Sequence, residues 1–518
     1  MAANREVELK LAVPRGALKD IGKVAQAAGA MHDTSPQPLR SVYFDTRKHR
    51  LHKRGYVLRL RNNGGSGNIQ TVKTLKSADG GLTRGEWETE VQGKKPRADV
   101  LGNSPLAQVL DAPADWRKLR PLFTVEVERD TYLLHRDGAT IELALDDGVV
   151  RNEHEEQSIV EAELELKAGE PGALFAFARE ISAAVPALVS LTSKAERGYR
   201  LLAGETSRPT VSLDFALDRK MTTAEAVRAI GFTCLAALFD NMAILVREGT
   251  PDAVHQSRVC VRRLRALVSL FKPALDWPDG RAIRADLKWL CDLLGDVREL
   301  DVFIKSVLEP SAAANPDVPG FKPLLATLHA RRDHTYDLAV DELRSPRMSG
   351  LSLALVAHLE GLLAHGPPGN SAQRERDKPV RRFAAKELRR RLRSLLKDSA
   401  ALDQMPPEQR HKIRIRAKKL RYMAEPFQGI VGWKRFSDVV SSLHEIQDTL
   451  GELNDYKVNR EMALDYAKQA LDPGSGDSSA ALAAGVAAAG GSEDTASALN
   501  NAIAARRRLA RVPALRPR

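Results

Sequence analysis

The hydrophobic period of this chain changes once, near residue 220, and that change leaves few folds open to it. From Arg5 to about Tyr199, apolar and polar residues alternate in eight runs: REVELKLAV, SVYFDT, YVLRLR, NIQTVKTL, GEWETEVQ, FTVEVERDTYLL, TIELALDDG and EAELELKAG. Gly, Asn, Asp and Pro punctuate them. This pattern predicts antiparallel strands closed into an eight-stranded β-barrel, because closure removes exposed edges. Two helical patterns, ALKDIGKVAQAAG and GALFAFAREISAAV, interrupt the strands. From about Thr222 to Asp472, apolar residues recur at three- and four-residue spacing, which predicts an all-α region. A multidomain α+β protein is expected: a barrel over residues 1–202, a linker over 203–221, a helical domain over 222–472, and an Ala/Gly/Ser-rich basic tail over 473–518, mobile with at most a transient helix.

Composition narrows the class. Of 518 residues, 43% are hydrophobic and 28% charged, which excludes a disordered chain and a mainly membrane-embedded one. The net charge of +12 directs attention to a polyanionic partner. Cys234, Cys260 and Cys291 are widely spaced, without a CxxC or Cys/His cluster, and are expected as reduced core residues of a cytoplasmic protein. The start, MAANREVELK, lacks the apolar core of a signal peptide. Asp240 and Asn241 interrupt the longest apolar run, AIGFTCLAALFDNMAILV, so a buried helix is expected there rather than a membrane span.

The charges of the strands are sorted by sign. Glu6, Glu8 and Lys10 share one face of the first strand; Arg59 and Arg61 share a face of another; Glu86, Glu88 and Glu90 align, as do Glu142 and Asp146, and Glu161, Glu163 and Glu165. A solvated outer face gains from interspersed signs, so rows of like charge call for a neutralising partner. Carboxylate rows suit hard divalent cations. Arg and Lys rows suit phosphate oxygens, Arg as a bidentate fork and Lys as a point charge. Together they describe a pocket for metal-bound polyphosphate.

Glu6-Val7-Glu8-Leu9-Lys10 matches an ExExK signature, and with YFDT at Tyr43–Thr46 and the order of later strands, residues 4–200 resemble CYTH domains, the triphosphate tunnel metalloenzymes. The resemblance implies a barrel whose tunnel binds a triphosphate and hydrolyses or transfers it with Mg²⁺ or Mn²⁺. It implies Glu6, Glu8 and Lys10 as the catalytic set, with Glu6 and Glu8 ligating metal beside Glu161, Glu163 and Glu165. Lys10, Arg59, Arg61, Lys73 and Arg129 would contact the phosphate chain, with Lys194 and Arg197 of SKAERGY as further contacts. Glu88, Glu90, Glu142 and Asp146 are expected as additional tunnel acids. The expected reaction is hydrolysis of inorganic triphosphate to pyrophosphate and phosphate, since no nucleoside-specific feature is visible. The alternative is a non-catalytic polyphosphate-binding or granule-targeting protein.

The helical half writes one basic face twice. HQSRVCVRRLRAL from His255 has a near-copy, HKIRIRAKKLRYM, from His411, 156 residues on. On a helix turning ~100° per residue, His255, Arg258, Arg262 and Arg265 fall within roughly 80° of arc, as do His411, Arg414, Lys418 and Arg421. Like charges at this spacing repel by a few tenths of a kcal/mol per pair, so an external anion is expected. LGDVRELDVF from Leu294 and LGELNDYKVN from Leu450 keep the same separation, which implies a duplicated helical unit with a pseudo-two-fold axis and stripes that meet at one groove. The copies differ: Asp301 corresponds to Lys457, and Arg298 to Asn454. Residues 220–470 resemble the CHAD domain, a helical module that binds inorganic polyphosphate. The resemblance implies phosphate contacts from His255, Arg258, Arg262, Arg265, His411, Lys412, Arg414, Lys418 and Arg421. Few aromatics accompany the stripes and no Asn or Gln is spaced for base edges, so nucleic acid is not the expected partner. The expected location is the cytoplasm, in association with polyphosphate granules.

Overall fold

The computed structural model describes residues 4–62, 67–75, 81–99, 104–110, 113–363, 371–471, 478–489 and 495–515. The eight alternating runs become eight strands: β1 (Asn4–Ala12), β2 (Met31–Asp45), β3 (Tyr56–Asn62), β4 (Asn68–Thr74), β5 (Thr83–Val91), β6 (Arg120–Arg136), β7 (Ala139–Arg151) and β8 (Glu156–Ala168). They are ordered β1-β5-β4-β3-β2-β6-β7-β8, and β8 pairs back onto β1, so the sheet closes into an antiparallel barrel. A short ninth strand, β9 (Leu188–Ser190), joins β1. Strand β2 begins ten residues before SVYFDT. Pro36 and Pro38 hide this extension from pattern reading, and register shifts between His32 and Gln37 accommodate the irregular stretch.

Helices α1 (Leu18–Ala27) and α4 (Pro171–Ala184) pack together, and α4 lies on β8. The short helices α2 (Arg50–Lys53) and α3 (Pro113–Trp116) follow β2 and precede β6. Helix α5 (Lys194–Leu202) closes one half of the lumen, where Tyr43, Phe123, Val125, Val150, Ile159 and Tyr199 form an apolar core. Its seat needs Gly198, because a Cβ there would stand 2.1 Å from the Phe123 ring. The other half of the lumen is charged.

The helical region comprises α6 (Thr223–Glu248), α7 (Pro251–Leu270), α8 (Gly280–Phe303), α9 (Glu309–Ala314), α10 (Phe321–Leu343), α11 (Pro346–Glu360), α12 (Ser371–Arg376), α13 (Val380–Asp398), α14 (Pro407–Ala424) and α15 (Phe436–Leu471). Helix α6 is long and apolar enough to cross a membrane, and 67% of its most apolar window is buried within the protein. Two helical hairpins, α7–α8 and α14–α15, recur at the duplicated motifs, with α7 packed on α14.

Two differences from the sequence reading stand out. The tail holds α16 (Ser478–Ala489) and α17 (Thr495–Ala510), both packed on α15, rather than a mobile coil. Its alanines are the reason: Ala480, Ala483, Ala484 and Ala487 bury against Phe303, Leu308 and Phe321, as small side chains let helices approach closely. The expected boundary at residues 472 and 473 lies outside the described residues. By packing, the first compact unit is Met1–Leu213 with Leu235–Glu248 and Asp341–Leu362; the second is Asp214–Cys234, Gly249–Val340 and Leu363–Arg518. Helix α11 belongs to the first because it covers α4 and β9, with Ser349 Oγ donating to the Ala187 carbonyl at 2.7 Å.

Candidate functional site

A cavity of about 300 Å³ occupies the charged half of the barrel. Period-two geometry aims Glu6, Glu8 and Lys10 of β1, Arg59 and Arg61 of β3, Lys73 of β4 and Arg129 of β6 into it, with Glu163 and Glu165 of β8. Lys194 enters from α5. A capping box starts that helix one residue earlier: Ser193 Oγ accepts from the Glu196 amide at 3.2 Å, and Glu196 Oε2 accepts from the Ser193 amide at 2.9 Å.

The acids fall into two groups. The deeper one is Asp146, Glu161 and Glu163, whose ligand oxygens all lie within 4.8 Å of one another, a spacing at which three carboxylates can share one ion. Here cations occupy them. Lys194 Nζ lies 2.7 Å from Asp146, 2.5 Å from Glu161 and 2.7 Å from Glu163. Arg129 forks onto Asp146 at 2.7 and 2.6 Å and reaches Glu163 at 2.6 Å. Lys10 also binds Glu163. Burial opposes ionisation of Glu163, yet Lys10, Lys194 and Arg129 hold it well below its ordinary pKa. Glu161 and Arg197 pair at 2.8 Å and do not line the cavity. Of the expected sites these two are therefore committed to each other, and Glu161 also to Lys194.

The second group spans three strands. Glu8 faces Glu165 across β1 and β8, and Glu165 faces Glu142 across β8 and β7. Directly opposed like charges repel. Burial raises the pKa of Glu165 above its ordinary value, and Glu6 and Glu142 raise it further. Lysines answer part of the charge: Lys10 lies 2.5 Å from Glu8, Lys73 2.8 Å from Glu6, and Lys167 2.7 Å from Glu165.

Arg61 is left without an ion pair among the described residues, as is Arg84, whose Nη2 donates to the Leu191 carbonyl at 3.1 Å. Arg61 Nε donates to Ser41 Oγ at 3.3 Å, and no carboxylate lies within 4 Å of Arg61 among the described residues. Burial lowers its pKa to about 10, with Arg59 and Arg129 adding repulsion. Arg59 lies 3.7 Å from Glu86 and 3.6 Å from Glu88, and Glu88 accepts from Thr71 at 2.8 Å. Glu90 is exposed and lies outside the cavity, because its strand runs past the mouth. Sequence reading missed two lining cations, Arg84 and Lys167. Both continue the two-residue step of Glu86–Glu88 and Glu161–Glu165, so the signal was present.

In the second unit the two basic stripes come together where α7 packs on α14. Lys418 stands among Arg262, Arg414, Arg258 and Arg421. Burial lowers the pKa of His255, as do Arg298, Lys418 and Arg262. His411 keeps a buried Nδ1 without a hydrogen bond. Two expected contacts point elsewhere. Arg265 acts with Arg391 on Lys419, one residue and ~100° round the helix from Lys418. Lys412 is exposed beside Glu408.

Fold and charge thus define a protein with two strongly charged regions, the barrel lumen and the contact of α7 with α14. The CYTH domain model matches residues 4–199 and the CHAD domain model residues 229–464, so the chain carries a CYTH domain followed by a CHAD domain. An uncharacterized protein of Mycobacterium tuberculosis is 28% identical over 492 residues, 90% of this chain and 89% of that one. An inorganic triphosphatase of Haemophilus influenzae is 30% identical over 201 residues, which cover 38% of this chain and 55% of that protein. The crystal structure of the CHAD domain from the plant Ricinus communis is 26% identical with a TM-score of 0.48, covering 58% of this chain and 96% of that one.

Proposed function

We propose that the barrel hydrolyses inorganic triphosphate to pyrophosphate and phosphate with a divalent cation, Mg²⁺ or Mn²⁺, and that the helical domain binds inorganic polyphosphate. One observation carries the first part: an uncompensated guanidinium, Arg61, flanked by Arg59 and Arg129, shares a lumen with an acidic row, Glu6, Glu8, Glu142 and Glu165. The inorganic triphosphatase among the relatives supports it.

The residues fit a hard cation. The row offers only carboxylate oxygens, and the raised pKa of Glu165 reflects burial first and then the like charge of Glu6 and Glu142. Glu6, Glu8, Glu142 and Glu165 would hold the ion. When bound, it supplies charge neutralisation at phosphoryl oxygens and a lowered pKa for water. Arg59, Arg61 and Arg129 grip the phosphate chain and keep the scissile bond in line, while Lys10 and Lys73 steady the leaving pyrophosphate. Glu161, Glu163 and Asp146 act one step back, holding Lys194, Arg129 and Arg197 in place. Tyr43 is the only ring lining the cavity among the described residues, and it is buried and stacked on Phe123 at 4.6 Å. No platform for a nucleobase results, which favours the inorganic substrate.

Phosphate release from triphosphate with Mg²⁺ tests this reading. The wild type should turn over, and Glu6→Ala combined with Glu8→Ala should abolish release. Equal release by both, or none by the wild type, removes the hydrolytic reading and leaves the barrel as a binder.

For the helical domain, the support is a cleft of cations in which, among the described residues, Arg262 and Lys418 have no carboxylate within 4 Å, while Arg258, Arg414 and Arg421 each have one. Long-chain polyphosphate should bind the full chain more tightly than duplex DNA at matched salt; equal binding would remove the polyphosphate assignment. The buried thiols of Cys234, Cys260 and Cys291 support a reducing, cytoplasmic setting.

A further inference from the structure

The duplicated helices differ where their stripes meet. Position 262 carries an arginine, and its counterpart 156 residues on, position 418, carries a lysine. Both side chains are half-buried at the contact of α7 with α14. Lys418 is surrounded by Arg414 and Arg421 of its own helix and by Arg258 and Arg262 of α7. From α8, Arg298 adds charge beside His255.

The acids of the neighbourhood pair with the arginines around Lys418 and with other cations. Glu299 of α8 lies 3.8 Å from Arg258, and Asp455 of α15 lies 3.3 Å from Arg414. Glu425, after α14, takes both Arg421 and Arg263. Asp448 of α15 is held by His444. From α13, Arg391 adds its charge at Lys419. Among the described residues, neither Arg262 nor Lys418 meets a carboxylate within 4 Å.

Five cations in one cleft repel one another, and only one can relieve the repulsion by losing its proton. Arginine stays charged at any ordinary pH, whereas a buried lysine loses its proton readily. Burial, with the four guanidiniums, brings Lys418 Nζ down to about 7. A phosphate chain laid across the cleft reverses the balance, because its charge favours the ammonium form.

We propose that polyphosphate binds this cleft together with a proton, taken up by Lys418 Nζ as the anion offsets the repulsion from Arg258, Arg262, Arg414 and Arg421. The inference rests on the polyphosphate reading of the helical domain and adds that pH sets its affinity. The step is a proton transfer: one N–H bond forms at Lys418 Nζ, the corresponding bond to hydrogen in the buffer acid breaks, and the ammonium pairs with a phosphate oxygen. The sign follows. Above about pH 7 the empty cleft holds a neutral Lys418, so binding must draw a proton, and affinity falls as pH rises, by up to about tenfold per unit. Below that value this residue adds no pH dependence. His255, held below its ordinary pKa, charges only in more acidic solution.

Isothermal titration calorimetry of the full chain with long-chain polyphosphate, in EDTA and at about pH 8.5, tests the proposal in two buffers of different ionisation enthalpy. The wild type should take up close to one proton per site, and its affinity should fall about tenfold between pH 7.5 and 8.5. Lys418→Arg should bind with almost no uptake and a flat profile over that range. Wild-type binding without proton uptake overturns the proposal, as does uptake by Lys418→Arg equal to that of the wild type. The wild-type proton count needs no variant. Absence of polyphosphate binding anywhere from pH 6 to 9 is a separate failure, that of the polyphosphate reading itself.

Discussion

Arg258 lies across Gly295, its Nη1 donating to the Gly295 carbonyl at 3.1 Å, so close that a Cβ on the glycine would stand 3.3 Å from the guanidinium. The second copy repeats the relationship: a Cβ on Gly451 would stand 3.3 Å from Arg414 Nε. Four residues beyond each glycine an acid approaches the same guanidinium, Glu299 at 3.8 Å and Asp455 at 3.3 Å. The Leu-Gly motifs are therefore seats for the arginines of the basic stripes, and the 156-residue offset persists in side-chain contacts.

Replacing either glycine separates stability from binding. Gly→Ala inside a helix favours the helix by about 0.5–1 kcal/mol, while the new methyl pushes the arginine off its seat. Gly295→Ala and Gly451→Ala should melt at or slightly above the wild-type temperature and bind polyphosphate several-fold more weakly. Thermal denaturation beside a binding titration checks both; unchanged affinity in both variants would show that the seats do not matter.

Arg61 and Arg129 make a matched pair of substitutions. Arg129→Met leaves Asp146, fully buried, and Glu163 short of a cation, and should cost about 3–5 kcal/mol of stability. Arg61→Met removes a buried cation with no carboxylate partner, so stability should hold or rise while triphosphate turnover falls by about 100-fold or more. Urea unfolding and phosphate release distinguish the two outcomes.

Acid should unfold the barrel through its deep carboxylates. Burial opposes ionisation of Asp146 and Glu163, but Lys194 and Arg129 depress both pKa values, and Lys10 depresses that of Glu163 as well. A depressed carboxylate contributes its full stability above the unfolded-state value of about 4 and loses it as pH falls through the folded-state value. Stability should therefore drop below about pH 4, and Glu163→Gln should flatten that fall. Glu165, whose pKa is raised, acts in the opposite sense and gains stability on protonation. Denaturant unfolding across about pH 3 to 7 measures the slope.

A chain cut after Leu471 would lose α16 and α17. Leu509 and Val512 are fully buried, as are Ala483 and Ala484, and each large side chain of this kind contributes roughly 1.5–3 kcal/mol. The shortened chain should melt earlier and bind a hydrophobic dye, whereas removal of a mobile tail would change neither.

Much of the barrel was legible because alternation is local: side chains two apart in a strand share a face whatever the strand packs against. The ExExK row, the Arg59–Arg61 row and the acids of β8 were all read that way, and Arg84 and Lys167 could have been. Strand β2 was read short because Pro36 and Pro38 break the pattern, and the tail was read as mobile because small residues look alike in a coil and in a close helix contact.

By itself the sequence determined periodicity and sign: which side chains share a face, that charges are sorted along strands, and that one helical unit is written twice. Tertiary structure decided which charges meet. Only packing assigns Glu161 to Lys194 and Arg197, brings the charges of Arg265 and Arg391 to bear on Lys419, leaves Arg61 without a carboxylate among the described residues, and sets Lys418 among arginines. Backbone geometry acts over a few residues and can be read along the chain; electrostatic pairing acts through space between elements more than a hundred residues apart, and the fold alone sets those distances.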